Sequence, residues 1–269
     1  FEFLQNRKNE IAFFFENNLC LELNSDQLDF IEYYLRNQRV PLKDNIIDAA
    51  FESLKNRLKL DRDYYTISKG ILNIIQLLCK LKLFLAESQS FPLHPTLNED
   101  LDGIRKFIAS KTLKKVLSQT KDLSFSQINI LDQFFRVSSK NSFRELLDIV
   151  YKIDVLQTLS KIMKNDGFTL PDYRSGSKPL FEVVGAFHPL LSTPIPNSFI
   201  FNPDSNLCFL TGPNMSGKST FLKAIGLHIY LAHLGFPVPA KNLKISIFDG
   251  LFTTINLADN LNLGYSHFY

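Results

Sequence analysis

The run Leu207-Cys-Phe-Leu-Thr-Gly-Pro-Asn-Met-Ser-Gly-Lys-Ser-Thr220 sets the tightest constraint on this chain. In it, Gly-x4-Gly-Lys-Ser follows an apolar stretch of strand length and precedes a helical one, the context a phosphate-binding loop requires. Gly212 and Gly217 let the backbone turn so that successive N–H groups face one cavity, and the following helix adds partial positive charge at its N-terminus. Lys218 is then placed to reach β- and γ-phosphates, the Ser219 hydroxyl to ligate Mg²⁺, and Thr220 to support the phosphates from the first helical turn. The expected ligand is ATP with Mg²⁺, held by Gly212, Pro213, Asn214, Met215, Ser216, Gly217, Lys218, Ser219 and Thr220.

The rest of the chain divides by periodicity. From about residue 25 to 165 the apolar spacing is helical: Ile71, Ile74, Ile75, Leu78, Leu81 and Leu85 fall on one face of a helix. A long helix, with Asn141 and Ser142 as expected caps, places Phe143, Leu146, Leu147, Val150, Ile153, Leu156, Leu159 and Met163 along one stripe and ends at Asn165-Asp-Gly167. Pro171 to Pro179 has turn composition. Beyond it, Leu180–Val184, Leu207–Leu210, Lys244–Phe248 and Leu251–Ile255 read as strands, and Thr220–Leu234 as a helix apolar nearly all round. The expected class is therefore α + α/β. An all-helical domain (1–170) and a linker (171–179) precede the N-terminal part of a P-loop NTPase domain (180–269).

Composition narrows the setting. Of 269 residues, 45% are apolar and 21% charged, which suits a globular chain rather than a disordered or fibrous one. No apolar run reaches the roughly 18 residues of a membrane span, and Phe1–Glu10 lacks the pattern of a signal peptide, so a cytoplasmic location without membrane partners is expected. Cys20, Cys79 and Cys208 are far apart, without a CxxC pair, and read as reduced core thiols. A net charge of +3 does not by itself indicate a nucleic-acid partner. Arg105, Lys106, Lys111, Lys114, Lys115 and Lys121 do form a local basic cluster. It reads either as a solvated helix face or as a contact for DNA phosphates, with Lys111, Lys114 and Lys115 as the candidates.

Gly-Pro-Asn-Met-Ser-Gly-Lys-Ser-Thr, residues 212–220, resembles the corresponding loop of the MutS family of DNA repair ATPases, in which Ser216 is usually glycine. Gly235–Ala240 and Asp249–Thr253 are similar to the stretches that follow that loop in the family, in the same order. His188-Pro189 is similar to its Arg-His-Pro element, with Phe187 in place of arginine, and Ile153–Leu156 to the end of its lever helix. The resemblance implies an ABC-like P-loop fold, helical core and lever regions, and a dimer with composite ATP sites. It places Phe199 where an aromatic ring stacks on adenine, although a core phenylalanine is an equal reading of one residue among 25. Asp259–Phe268 resembles the family's signature loop, which implies that Ser266 acts in trans, with Lys218, on the γ-phosphate of the opposite subunit; Tyr265 and His267 depart from the pattern.

The partner that the resemblance implies is mismatched or branched DNA; nothing in the sequence resembles the family's mismatch-reading Phe-x-Glu module, which counts against mismatch recognition and leaves branched or otherwise unusual DNA open. An apolar strand closing in Asp-Glu, which hydrolysis requires, is expected beyond Tyr269, in a longer protein. Two other readings stand beside this one: an ABC- or SMC-type ATPase of another family, and a non-catalytic helical interaction module whose P-loop is structural. The five histidines form no nucleophile set, and His228 and His233 read as packing residues.

Overall fold

The computed structural model describes residues 1–36, 62–117, 123–176, 178–213 and 216–254. The chain forms two compact units, Glu16–Gln157 and a second made of Phe1–Phe15 with Thr158–Tyr269. Residues 171–179, expected as a linker, lie inside the second unit and include a strand, because Tyr173 has an apolar ring to bury there.

Helices α1 (Glu2–Asn17), α2 (Ser25–Arg36), α3 (Arg62–Ser88), α4 (Pro95–Ile108), α5 (Lys111–Leu117) and α6 (Phe125–Gln133) come first. A π-helical turn (Phe134–Ser138) and α7 (Lys140–Asp166) follow. Of the expected stripe on α3, Ile71, Ile74, Leu78, Leu81 and Leu85 are buried and Ile75 is half-buried. Proline opens α4, where its missing N–H costs nothing. Ser124 and Gln127 close a reciprocal capping box at α6, each side chain accepting from the other's backbone N–H. Helix α7 begins at Lys140, so Asn141 and Ser142 lie within its first turn rather than capping it. It ends as expected, with Gly167 at φ 69°.

At the centre of the helical unit is a buried polar cluster. The Tyr34 hydroxyl donates to Asp132 Oδ1 at 2.7 Å, Arg136 Nε donates to the same oxygen at 2.6 Å, and Arg136 Nη2 pairs with Oδ2. A carboxylate out of water needs its lone pairs filled, and here one guanidinium and one phenol fill them. Burial and the neighbouring carboxylate both push the Tyr34 phenol well above its ordinary range. Tyr34 is seated closely: a Cβ on Gly70 would fall inside the contact distance of its Cγ.

The second unit contains β1 (Asp172–Arg174), β2 (Phe181–Ala186), β3 (Asn197–Phe201), α8 (Lys218–His233) and β4 (Asn242–Ser246). The sheet order is β1-β4-β2-β3, with β1 parallel to β4 and β2 antiparallel to both its neighbours. Period-two alternation sorts the side chains. Phe181, Val183, Leu243, Ile245 and Tyr173 are buried with Ala232, Val238 and Ala240, while Glu182 and Lys244, paired at 3.0 Å, are half-exposed. Leu4 of α1, a helix that the apolar periodicity does not reveal, joins the same core. His228 is fully buried on α8, with Nδ1 2.5 Å from Ala224 O and Nε2 3.0 Å from Pro239 O.

Two expected strands are not strands. Residues 207–210 and 251–254 have no ladder partner among the described residues, and an apolar run becomes a strand only where a neighbour offers one. Leu207 and Phe209 are 86% and 89% exposed. The three cysteines are free and exposed, not core thiols. Cys20 and Cys79 each follow a buried leucine and so turn away from the core, and Cys208 lies in the exposed stretch 207–210. Among the described residues no helix is long and apolar enough to cross a membrane.

Two stability effects follow from this packing. Gly70→Ala drives a methyl group into the Tyr34 ring and is expected to destabilise the helical unit by about 1–3 kcal/mol, since overpacking outweighs the gain of about 1 kcal/mol in helix propensity. A lowered urea midpoint with an unchanged m-value checks this. Burial holds His228 below its ordinary 6.5, so as pH falls past 6.5 the unfolded chain takes up the proton first and stability declines until the folded-state value is passed. Urea midpoints at about pH 7.5 and about pH 5.5 should therefore differ less in His228→Gln than in the parent.

Candidate phosphate-binding site

Helix α8 opens directly from the glycine-cornered loop. Its N-cap, Gly217, sits at φ 90° and ψ 9°, a left-handed conformation that an L side chain would strain. Without a side chain, Gly217 caps none of the first-turn N–H groups. Those unfilled donors and the helix dipole favour an anion at this end. Gly212 and Ser216 approach closely, since a Cβ on Gly212 would lie 3.0 Å from Ser216 Oγ.

The Lys218 side chain folds back across the loop, its ammonium donating to Gly212 O at 2.8 Å and Pro213 O at 2.7 Å. Beside it lies a cleft of about 650 Å³, lined by Gly212, Pro213, Ser216, Gly217, Lys218 and Thr220 from the loop and helix. Phe199 lines it from β3. The half-buried Phe199 ring also packs against Phe221 at 5.0 Å and Phe181 at 5.5 Å.

The structure does not gather every expected residue. Ser219 is exposed and is not among the cleft residues. Asn214, Met215, Lys121 and the stretch containing Ser266 lie outside the described residues. Lys111, Lys114 and Lys115 are exposed on α5, in the other unit, with Leu113 buried between them. Thr193, Pro194, Ile195, Asn197 and Phe221 also line the cleft and escaped the sequence reading. The prolines between His188 and Asn197 were the only available signal, marking a loop without saying what it faces. Phe187, which replaces the arginine of the resemblance, packs edge-on against Phe168 at 5.9 Å.

Mixed helices and a small sheet, with the glycine-cornered loop at a helix N-terminus, place the C-terminal part in the class of the MutS ATPase segment, and residues 208–269 match the family model of MutS domain V. Over longer stretches the chain is similar to parts of proteins of that kind, and these likenesses together with the domain V match support a MutS-family protein. It is 34% identical over 134 residues to the DNA mismatch repair protein MutS of Fusobacterium nucleatum, covering 48% of this chain and 15% of that protein. Against the DNA mismatch repair protein MSH3 of Candida glabrata it is 31% identical over 175 residues, 61% of this chain and 17% of that one. Against the MutS of Persephonella marina the values are 32% over 191 residues, 66% and 21%. The chain thus spans about a fifth or less of the length of these relatives.

Proposed function

We propose that this chain binds ATP with Mg²⁺ in the cleft at Gly212–Thr220 and serves, within a dimer, as the nucleotide-switched part of a protein that acts on mismatched or branched DNA. The observation that carries the reading is the left-handed Gly217 at the head of α8 with the Lys218 ammonium lying over the loop. An ammonium has three donors, and those now spent on two carbonyls are the ones that phosphate oxygens would take. Phe199 offers a ring face to the base. Mg²⁺, when bound, would neutralise phosphate charge; Ser219 is the hydroxyl of the motif that would hold it, after its side chain turns inward.

The unfilled N–H donors of the first turn and the point charge of Lys218 suit a polyphosphate better than a single carboxylate, because charge on several oxygens can be met at once. The MutS domain V match covers this loop, and the relatives are named for DNA mismatch repair, which supports the P-loop, ABC-like reading and the DNA partner together. In this reading α7 is the lever. The helix spans Lys140–Asp166, and the division of the chain into its two compact units falls between its residues Gln157 and Thr158. DNA contact is assigned to Lys111, Lys114 and Lys115, and γ-phosphate contact across the dimer to Ser266.

Lys218→Ala is expected to abolish tight binding of ATP, with a loss of at least about 100-fold in affinity by calorimetry, as befits removal of a charge-assisted contact to phosphate. Unchanged affinity would sink the assignment. Reversing the charges at Lys111, Lys114 and Lys115 should flatten the dependence of log affinity for DNA on log salt, by roughly 1 for each phosphate contact removed. An unaltered slope would return these lysines to a solvated face.

A further inference from the structure

Helix α8 begins at the phosphate loop and ends at His233, whose two ring nitrogens are both engaged. Nδ1 lies 2.8 Å from Ile229 O, one turn back, and Nε2 lies 2.8 Å from the backbone N of Phe248. The amide of Phe248 can only donate, so Nε2 must accept and carry no proton; Nδ1 then bears the hydrogen and donates to Ile229 O. The ring also stacks on that of Phe248, with centroids 5.6 Å apart and planes at 23°.

What this contact holds is the chain that leaves the sheet. Strand β4 ends at Ser246, so Phe248 N–H has left the ladder and is held by the helix instead of by a neighbouring strand. The chain then passes back along α8: Thr253 Cγ2 lies 3.9 Å from where a Cβ on Gly226 would sit. Gly226 stands seven residues before His233, about 10 Å nearer the phosphate loop at the rise of an α-helix. Residues 248–253 therefore run toward the Lys218 end of the helix, with Phe252 97% exposed along the way.

We infer that His233 is a positioning residue, whose neutral ring pins Phe248 to the phosphate-loop helix so that residues 248–254 follow α8, rather than the sheet, when nucleotide binds. The inference rests on the nucleotide reading above. A segment tied to the sheet by ladder bonds would stay with the sheet. One whose backbone N–H at Phe248 is given to the far end of α8, whose Phe248 ring packs on His233 and on the core that α8 shares with the sheet, and which is laid along that helix, takes up whatever shift the loop imposes on it. The other titratable histidine of α8, His228, is turned to Ala224 and Pro239 and has no part in the contact.

The test is hydrogen exchange on the full chain, with and without Mg²⁺ and a non-hydrolysable ATP analogue, in three proteins: the parent, His233→Gln and His233→Phe. The glutamine side chain can still accept from Phe248 N–H through its oxygen, whereas the phenyl ring keeps the stacking and offers no acceptor. The Phe248 amide should exchange at least about tenfold faster in His233→Phe and near the parent rate in His233→Gln, with the β4 amides of Leu243 and Ile245 unchanged in both as the control for folding. Nucleotide should alter exchange across 248–254 in the parent and in His233→Gln, and leave it unaltered in His233→Phe, with affinity for the analogue within about twofold throughout. A parent-like response in His233→Phe, or a Phe248 amide indifferent to both substitutions, overturns the inference. Absence of nucleotide binding by the parent overturns the nucleotide reading and the coupling with it, while the Phe248 rates without nucleotide still decide whether His233 is the pin.

Discussion

A helix that sets the position of the loop before it must be fixed against something stiffer than itself, and for α8 that support is the buried face of a four-stranded sheet. Ala224, His228 and Ala232 are the positions α8 buries outright, two of them the smallest side chains that still favour a helix. Small residues let the helix axis come close to Phe181, Val183 and Ile245, and Tyr173 tightens the far end by donating its hydroxyl to Ala232 O at 2.7 Å. That bond adds a side-chain donor to a last-turn carbonyl that also accepts from the Gly235 N–H. Loop position is thus inherited: Gly217 stands where it does because Ala224 and Ala232 are held seven and fifteen residues further on.

The helical unit solves a different problem. Its interior contains an ionised pair, Asp132–Arg136, which water would otherwise solvate, and a buried ion pair stabilises little unless every lone pair is met. The π-helical turn beginning at Phe134 places Arg136 so that Nε and Nη2 both reach the carboxylate, and Tyr34 from α2 completes the set. The cluster links α2 to the α6 region by direction-dependent bonds, whereas Ile71, Ile74, Leu78 and Leu81 supply apolar burial that would tolerate a shift in register.

The glycine-cornered turn and the helix that opens at Lys218 were legible in the sequence because the spacing of Gly212, Gly217 and Lys218 marks a tight turn into a helix whatever surrounds it. The helical stripes were legible because burial repeats with the helix period, as Phe143 through Leu156 show. Helix α1 escaped because its apolar residues bunch at Ile11–Phe15 instead of repeating, so one face is not visible in the order of residues. The run Leu207–Leu210 misled for the opposite reason: four residues can look like a strand, but pairing belongs to the neighbour, and the sequence does not say which neighbour stands there. His233 looked like packing, and in part it is. Its role at Phe248 depends on two elements fifteen residues apart meeting at 2.8 Å, which no local pattern encodes.

Phe199 shows how far such readings can be pressed. A choice between core residue and ligand contact assumes that a side chain has one neighbour, yet an aromatic ring has two faces and an edge. The β2–β3 pairing sets Phe199 opposite Val183, which turns it toward Phe181 and Phe221 on one side and leaves it half-buried at the cleft on the other. Because Phe221 lies on the first turn of α8, three residues after Lys218, the ring that lines the cleft is braced by the same helix that carries the loop. A base stacked on Phe199 and phosphates held at Gly217 would then be referred to one rigid element. The distance between the two ends of the ligand would be set by the packing of α8 on β2 and β3 rather than by any loop.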